Sequence, residues 1–304
     1  MPATDSRISL EKLLSGAQLP ALPQSAIRLL ELSQNPDNGA YQFAVPIESD
    51  PGLTSQVLRF VNSSYFGFRQ EICSVKQAIS LVGIRTIKNF ALWSAVFSLM
   101  PNPQCGPFDL RCLWQDSLRR GIFSRRFGKL LGLKDFEDLF AASLLQDMAV
   151  PLLVKELPTE YHRLLDGRQG GNFRLSDLER ECFGWTHADA GALIARTWHL
   201  PDAFASIIAK HGDFHECTAG KETGVVGLHV VCLSALLPST CDTEWVERDQ
   251  FMNMFEQMAL STHESVQQVF EYVDREFVDF APVLKLAQPS RSLSDFLQVE
   301  TVVL

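Results

Sequence analysis

None of the seven cysteines (Cys73, Cys105, Cys112, Cys182, Cys217, Cys232 and Cys241) pairs with another at Cys-x-x-Cys spacing, and their number is odd. That excludes a zinc ribbon and argues against a disulfide framework; the set reads as reduced thiols in a cytoplasmic protein. Excess positive charge is also missing. The 304 residues carry 27 Lys and Arg against 36 Asp and Glu, a formal net charge of -9 with a pI of about 5.3. Such a surface has no general attraction for nucleic-acid phosphates or anionic membranes, although a local basic patch is compatible with it. The longest apolar runs, around 90–100 and 225–237, are too short or too interrupted to span a bilayer. Residues 1–10 hold no basic segment followed by an apolar stretch, so no secretory signal is read there. There is no glycine-rich phosphate loop, no Gly-x-Ser-x-Gly elbow and no internal repeat, and strand signals are scarce.

What is present has the helical period. Hydrophobic residues make up 46% and charged residues 21%, ordinary for a globular protein. The length allows one large domain or two of typical size. Pro23 opens a segment carrying Ile27, Leu30 and Leu32. Asp50-Pro51 is an N-cap with proline at the first helical position, followed by Leu53, Val57, Leu58 and Val61 on one face. Ser74 with Gln77 forms a capping-box pattern before Ala78, Ile79, Leu81 and Val82. Gly83 interrupts, and residues 84–100 read as another helix. Pro101, Pro103, Gly106 and Pro107 mark a subdomain boundary. Further helices are expected near 113–131, 136–155, 176–182, 187–198, 201–210, 225–237, 244–259 and 263–277. The tail from Gln288 is expected to be poorly ordered or weakly docked.

Six segments occur in a particular order. They are Leu19-Pro20-Ala21-Leu22-Pro23, Asp50-Pro51-Gly52-Leu53, Val61-Asn62-Ser63-Ser64-Tyr65-Phe66-Gly67 and Ala78-Ile79-Ser80-Leu81-Val82-Gly83. Then come Phe183-Gly184-Trp185-Thr186-His187-Ala188-Asp189-Ala190-Gly191 and Trp198-His199-Leu200-Pro201, with His211 beyond. The succession resembles the HDOD domain, a relative of the HD-type metal-dependent phosphohydrolases. The resemblance implies an all-α bacterial signalling or regulatory module that lacks the full metal site of those enzymes. It implies an N-terminal lead-in over 1–14 and an HDOD domain over 15–215. That domain divides into an N-terminal helical bundle (15–102) and an HD-like bundle (108–215). Additional C-terminal helices (216–285) and a tail (286–304) follow.

An HD hydrolase holds divalent ions with a first histidine, a His-Asp pair, further histidines and a final aspartate, so that a bound water ionises at neutral pH. By this resemblance the first histidine falls on Asp116 and the His-Asp pair on Gln146-Asp147. The helix expected to carry the final aspartate has no acid between Glu222 and Asp242. Asp147, His187 and His211 remain as residual metal candidates, with Asp116 beside them. No metal or other cofactor is expected, a divalent ion entering only if that residual site is filled. Each survivor also has a structural reading. Asp147 lies near the apolar stripe of Phe140, Leu144, Met148 and Pro151 and needs a buried partner, which an arginine or histidine of another helix can supply. His187 follows Thr186, an N-cap type, and His211 precedes Gly212 at a helix end. His162, His199, His215, His229 and His263 show no metal-ligand spacing.

Arg119, Arg120, Arg125, Arg126 and Lys129 form the most basic segment. It reads as a solvated face, with Asp116 pairing to Arg119 or Arg120. Its functional reading is a docking surface of Arg119, Arg120, Arg126 and Lys129 for an acidic partner or an anionic nucleotide. Gly83, between two helices, either forms a tight turn or presents backbone N–H groups to a phosphate. The expected function is therefore a non-catalytic regulatory module that binds a signalling protein, with no membrane and no nucleic-acid partner. The alternative is a weak metal-dependent phosphodiesterase or nucleotidase using Asp147, with nucleic-acid or cyclic-dinucleotide binding as a minor third.

Overall fold

The computed structural model describes residues 8–17, 19–35, 37–213, 223–260 and 262–297, and these contain helices and no strand. The readings made on residues 1–7, His215, Cys217 and 298–304 lie outside the described residues. In chain order the helices are α1 (Leu10–Gly16), α2 (Gln24–Ser33), α3 (Ala40–Glu48), α4 (Pro51–Val61), α5 (Val75–Val82), α6 (Ile84–Leu99), α7 (Leu110–Leu130), α8 (Phe136–Leu145) and α9 (Val150–Glu156). They continue as α10 (Pro158–Gly167), α11 (Leu175–Phe183), α12 (His187–Thr197), α13 (Asp202–Lys210), α14 (Thr223–Ala235), α15 (Arg248–Ala259), α16 (Val266–Phe280) and α17 (Leu293–Leu297). No helix among the described residues is long and apolar enough to cross a membrane.

The caps read from sequence do the local work. Asp50 Oδ1 accepts from the Leu53 amide at 3.0 Å, and Ser74 Oγ from that of Gln77 at 3.2 Å. Gly83 has φ +94° and its N–H donates to Ile79 O at 2.9 Å, so it is a helix stop. α2 to α6 pack together, and α6 also packs on α8 of the second bundle. There the buried Asn89 amide donates to Glu137 O and Asp138 Oδ1 at 3.0 and 2.9 Å. A cluster of Phe60, Phe90, Phe140 and Phe280 joins both bundles to α16.

The sequence reading did not include α1, α3 and α10, and three further features differ from it. The helix expected over 136–155 breaks into α8 and α9 around a turn at 146–149. Pro151 has no N–H to give Asp147 O, and the Val150 amide takes that carbonyl instead at 3.0 Å. The tail docks firmly as far as 297. Leu293 and Phe296 are buried, and the Asp274 carboxylate accepts the amides of Leu293 and Ser294 at 2.8 and 3.0 Å. Cys112 and Cys241 form a disulfide with their Cα atoms 6.1 Å apart, within the span such a bond requires. Their separation of 129 residues hid the pair, which no local spacing announces.

α7 runs through the middle of the second bundle. It packs on α8, α14 and α16. A Cβ at Gly121 would stand 3.0–3.2 Å from Leu144 and Phe140 side-chain atoms, so the glycine brings α7 and α8 together. That approach sets the α7 side chains against the 146–149 turn.

Candidate functional site

The N-terminal half of α7 carries Cys112, Asp116 and Arg120 four residues apart, on one face. All three line a cavity of about 150 Å³, whose other walls come from Asp147, His187, His211, the 165–176 segment and residues 235–247. The Asp147 side chain leaves the α8–α9 turn. His187 opens α12, where Asp189 Oδ2 accepts the Thr186 amide at 2.8 Å. His211 ends α13. α12 and α13 lie so close that a Cβ on Gly191 would stand 2.8 Å from Ile208 Cγ2.

The ring contacts fix the chemistry at the centre. His211 Nδ1 lies 2.7 Å from Ile208 O, an atom that only accepts, so that nitrogen carries hydrogen. Burial, and then the neighbouring His187 ring, pushes His211 down to about 3. His211 is therefore neutral at neutral pH, with a lone pair on Nε2. His187 Nδ1 lies 2.6 Å from Glu179 Oε2 and donates to it. The two Nε2 atoms stand 3.3 Å apart, at 3.2 Å (His187) and 3.4 Å (His211) from Asp147 Oδ1. Such a convergence is satisfied either by a proton on His187 Nε2 or by a cation. All three residues are buried, and their ligand atoms lie within 4.8 Å of one another.

Glu179, which the sequence did not single out, orients this centre from below. It is fully buried and accepts the Tyr161 hydroxyl at 2.7 Å, the His187 amide at 2.8 Å and His187 Nδ1. Burial and then the Glu179 charge raise Tyr161 well above its ordinary value, keeping it a neutral donor. The only available signal was a glutamate eight residues before His187 on a helix with a strong apolar face, which ordinary surface acids share.

From above, Arg120 Nη1 donates to Asp147 Oδ2. Burial lowers the Arg120 pKa while Asp116 raises it, and arginine remains a cation. Two further pairs sit on the cavity wall, Arg168–Asp242 at 2.5 Å and Arg174–Glu247 at 3.5 Å. Burial raises both acids, opposed by their arginines. None of these four was read from sequence, because the partners lie more than 70 residues apart.

Asp116 lines the same cavity but does not join the cluster of possible metal ligands. Its carboxylate accepts the Ser239 hydroxyl at 2.5 Å and the Thr240 amide at 2.7 Å. Gln146 is fully buried and is not among the residues that line the cavity. One divalent ion fits the donor set of Asp147 Oδ1 and two imidazole Nε2 atoms, the ligand type and number of mononuclear zinc centres. Among the described residues no ligand set for a second ion converges there: Asp116 is engaged elsewhere and the α14 sequence holds no acid.

The basic stretch of α7 is not a solvated face. Arg119 is 1% exposed, donates to Arg291 O and lies over the Phe277 ring. Arg125 is buried on Glu137 at 2.5 Å. Arg126 pairs with Glu264 and stacks on Tyr272. Of the four residues read as a docking surface, Lys129 alone is exposed. Arg119 and Arg126 lie against Phe277 and Tyr272 of α16, and Arg120 pairs with Asp147, contacts that sequence counts of arginine do not anticipate.

Comparisons with known proteins bear on the fold and the family. The chain's fold is shared with a crystallised HDOD domain protein of unknown function from Geobacter sulfurreducens (TM-score 0.71, 18% identity, covering 94% of this chain and 99% of that one). It is also shared with a protein from Shewanella amazonensis provisionally named a phosphohydrolase (TM-score 0.70, 19% identity, 91% and 97% covered). A third such structure, from Marinobacter aquaeolei, is provisionally named a signal transduction protein (TM-score 0.63, 21% identity, 92% and 64% covered). An uncharacterized protein of Treponema pallidum (strain Nichols) is 23% identical over 194 residues, 64% of this chain, and the match spans 37% of that relative's length. The family model for the HDOD domain matches residues 19–214, so the chain belongs to the HDOD domain family.

Proposed function

We propose that this protein is a non-catalytic HDOD regulatory module that acts by binding a signalling protein, with a charge cluster standing in the position of the fold's metal centre. The Arg120–Asp147 ion pair carries this reading. Asp147 is the single carboxylate among the three convergent ligands, and the guanidinium holds one of its oxygens. An incoming ion must share that carboxylate with a fixed cation, which weakens binding by Coulomb repulsion in a low-dielectric site. Full-length protein prepared without chelators should contain no stoichiometric transition metal and should not hydrolyse a generic phosphodiester with Mn²⁺ or Zn²⁺ added. Stoichiometric metal, together with hydrolysis abolished by Asp147→Ala, contradicts the reading. Affinity capture from the native cell extract then identifies the partner.

The convergence of two Nε2 atoms and Asp147 Oδ1 favours a second reading, a weak single-metal phosphohydrolase. Asp147, His187 and His211 would hold the ion, which supplies a water of lowered pKa. Arg120→Ala separates the two. Under the first reading it leaves the protein inactive even if it then binds Mn²⁺. Under the second it changes a measurable hydrolysis rate. Nucleic-acid or cyclic-dinucleotide binding has little support, since the Gly83 N–H is already bonded and Arg119 is buried. Salt-sensitive binding of DNA or RNA at low ionic strength is the observation that brings it back.

A further inference from the structure

Residues 238–247 form a strap along one wall of the cavity. Ser239 and Thr240 hold the Asp116 carboxylate. Asp242 pairs with Arg168, and Glu247 with Arg174. The amides of Thr243 and Glu244 both donate to Gly170 O, at 2.9 and 3.0 Å. The strap lies so close to the 168–172 turn that a Cβ on Gly171 would come within 2.7 Å of Glu244 O. Trp245 anchors its far end, donating to Leu236 O at 2.8 Å and packing on Phe251 and Phe270. One covalent bond is added to this set: Cys241, in the strap, is joined to Cys112, one helical turn before Asp116 on α7.

We infer that the Cys112–Cys241 pair is a redox latch: the disulfide clamps the strap against α7 over the Asp147–His187–His211 cavity, and reduction releases it. Three observations support this, and none depends on what the cavity binds. Cys112 and Cys241 both line the cavity, so the bond forms part of its wall. Cys241 is an exposed residue, on the side from which a thiolate of the reductant would come. The bundle has extensive packing of its own beside the bond. α7 is packed on α8, α14 and α16, and this core is far larger than those of the small domains that need disulfides to fold. The bond is the one covalent tie among several polar contacts that hold the strap. Its loss loosens a wall and leaves the bundle standing.

The chemistry balances with a dithiol as reductant. A thiolate attacks Cys241 Sγ, the Cys112–Cys241 bond breaks, and Cys112 leaves as a thiolate that takes a proton. The second thiol of the reductant closes on the mixed disulfide and releases Cys241. Two electrons and two protons pass from the dithiol, which becomes a cyclic disulfide. Oxidised glutathione runs the reverse reaction and yields two molecules of glutathione.

The test uses the full chain without denaturant. After millimolar dithiothreitol, alkylation and peptide mapping should find Cys112 and Cys241 modified; after oxidised glutathione both should be blocked. In the reduced protein the amides of 239–247 should exchange about 10-fold faster, those of α7 and α14 should keep their protection, and His187 and His211 should react faster with diethyl pyrocarbonate. The Cys112→Ser/Cys241→Ser double variant should match the reduced state under both conditions. If that variant does not fold, the comparison of oxidised and reduced wild type still decides. The latch is wrong if the bond resists reduction until the protein unfolds, or if the thiols never pair under oxidised glutathione. It is equally wrong if reduction melts α7 and α14, or leaves strap exchange and histidine reactivity unchanged.

Discussion

Asp147 divides its two carboxylate oxygens between a permanent cation and a pair of imidazoles: Oδ2 accepts from Arg120, while Oδ1 faces His187 Nε2 at 3.2 Å and His211 Nε2 at 3.4 Å. Removing one member of a buried ion pair strands the other charge, at a cost of about 3–5 kcal/mol. Arg120→Met should therefore destabilise the protein by about that amount. Adding Asp147→Asn should recover part of the loss, because the amide carries no charge to strand. Urea unfolding of the two single variants and the double variant measures the coupling. Additive losses would show that Arg120 acts mainly through packing.

Glu179 accepts three hydrogen bonds in a site with no solvent, so each partner it loses becomes an unsatisfied buried donor. Tyr161→Phe removes donor and hydroxyl together and should cost about 1 kcal/mol. Glu179→Gln keeps the shape but removes the charge facing His187 Nδ1, and should cost about 2–3 kcal/mol. It should also shift the His187 ring ¹⁵N resonances, a change that loss of packing does not cause. Unaltered ring shifts in a folded Glu179→Gln variant would remove Glu179 as the residue that sets the His187 tautomer.

The legible parts of the sequence were those where cause and effect are local. Asp50 and Ser74 announce their helices because capping is settled within four residues, and Gly83 announces a stop for the same reason. Asp147 could be read as a buried acid in need of an arginine or histidine, because its apolar neighbours leave no other way to carry the charge. The choice of Arg120 could not be read, since it depends on how closely Gly121 lets α7 approach α8. Arg168, Arg174, Asp242 and Glu247 were invisible for a related reason: each becomes a site residue only when the strap folds back across the cavity. The Cys112–Cys241 bond is the plainest case, a pairing over 129 residues that spacing rules cannot reach.

Gly191 tests the close packing that brings His187 and His211 together. A methyl group there would stand 2.8 Å from Ile208 Cγ2, inside contact distance, and also near Gln146 O at 3.7 Å and Ala149 Cβ at 3.9 Å. Overpacking of this kind typically costs about 1–3 kcal/mol. Gly191→Ala should fall in that range by thermal unfolding. The same substitution should cost less in an Ile208→Ala background, where the opposing methyl is gone. An equal cost in both backgrounds would place the strain elsewhere.

His211 makes stability depend on pH in a defined window. Its folded value is about 3, against about 6.5 for an unfolded histidine. Between those values the unfolded chain binds a proton that the folded chain does not, so stability rises with pH there. The contribution of His211 is complete above about pH 6.5 and is lost progressively as pH falls toward 3. Unfolding near pH 5 should accordingly take up about one more proton in the wild type than in His211→Gln, which cannot titrate. The check is the slope of unfolding free energy against pH between about 6.5 and 4 for the two proteins. The variant should be less stable at neutral pH, having lost a ring fitted between Ile208 O and the His187–Asp147 pair, yet its slope should be shallower. Equal slopes would mean that His211 takes up its proton in the folded state, which would place a positive charge beside His187 and Arg120.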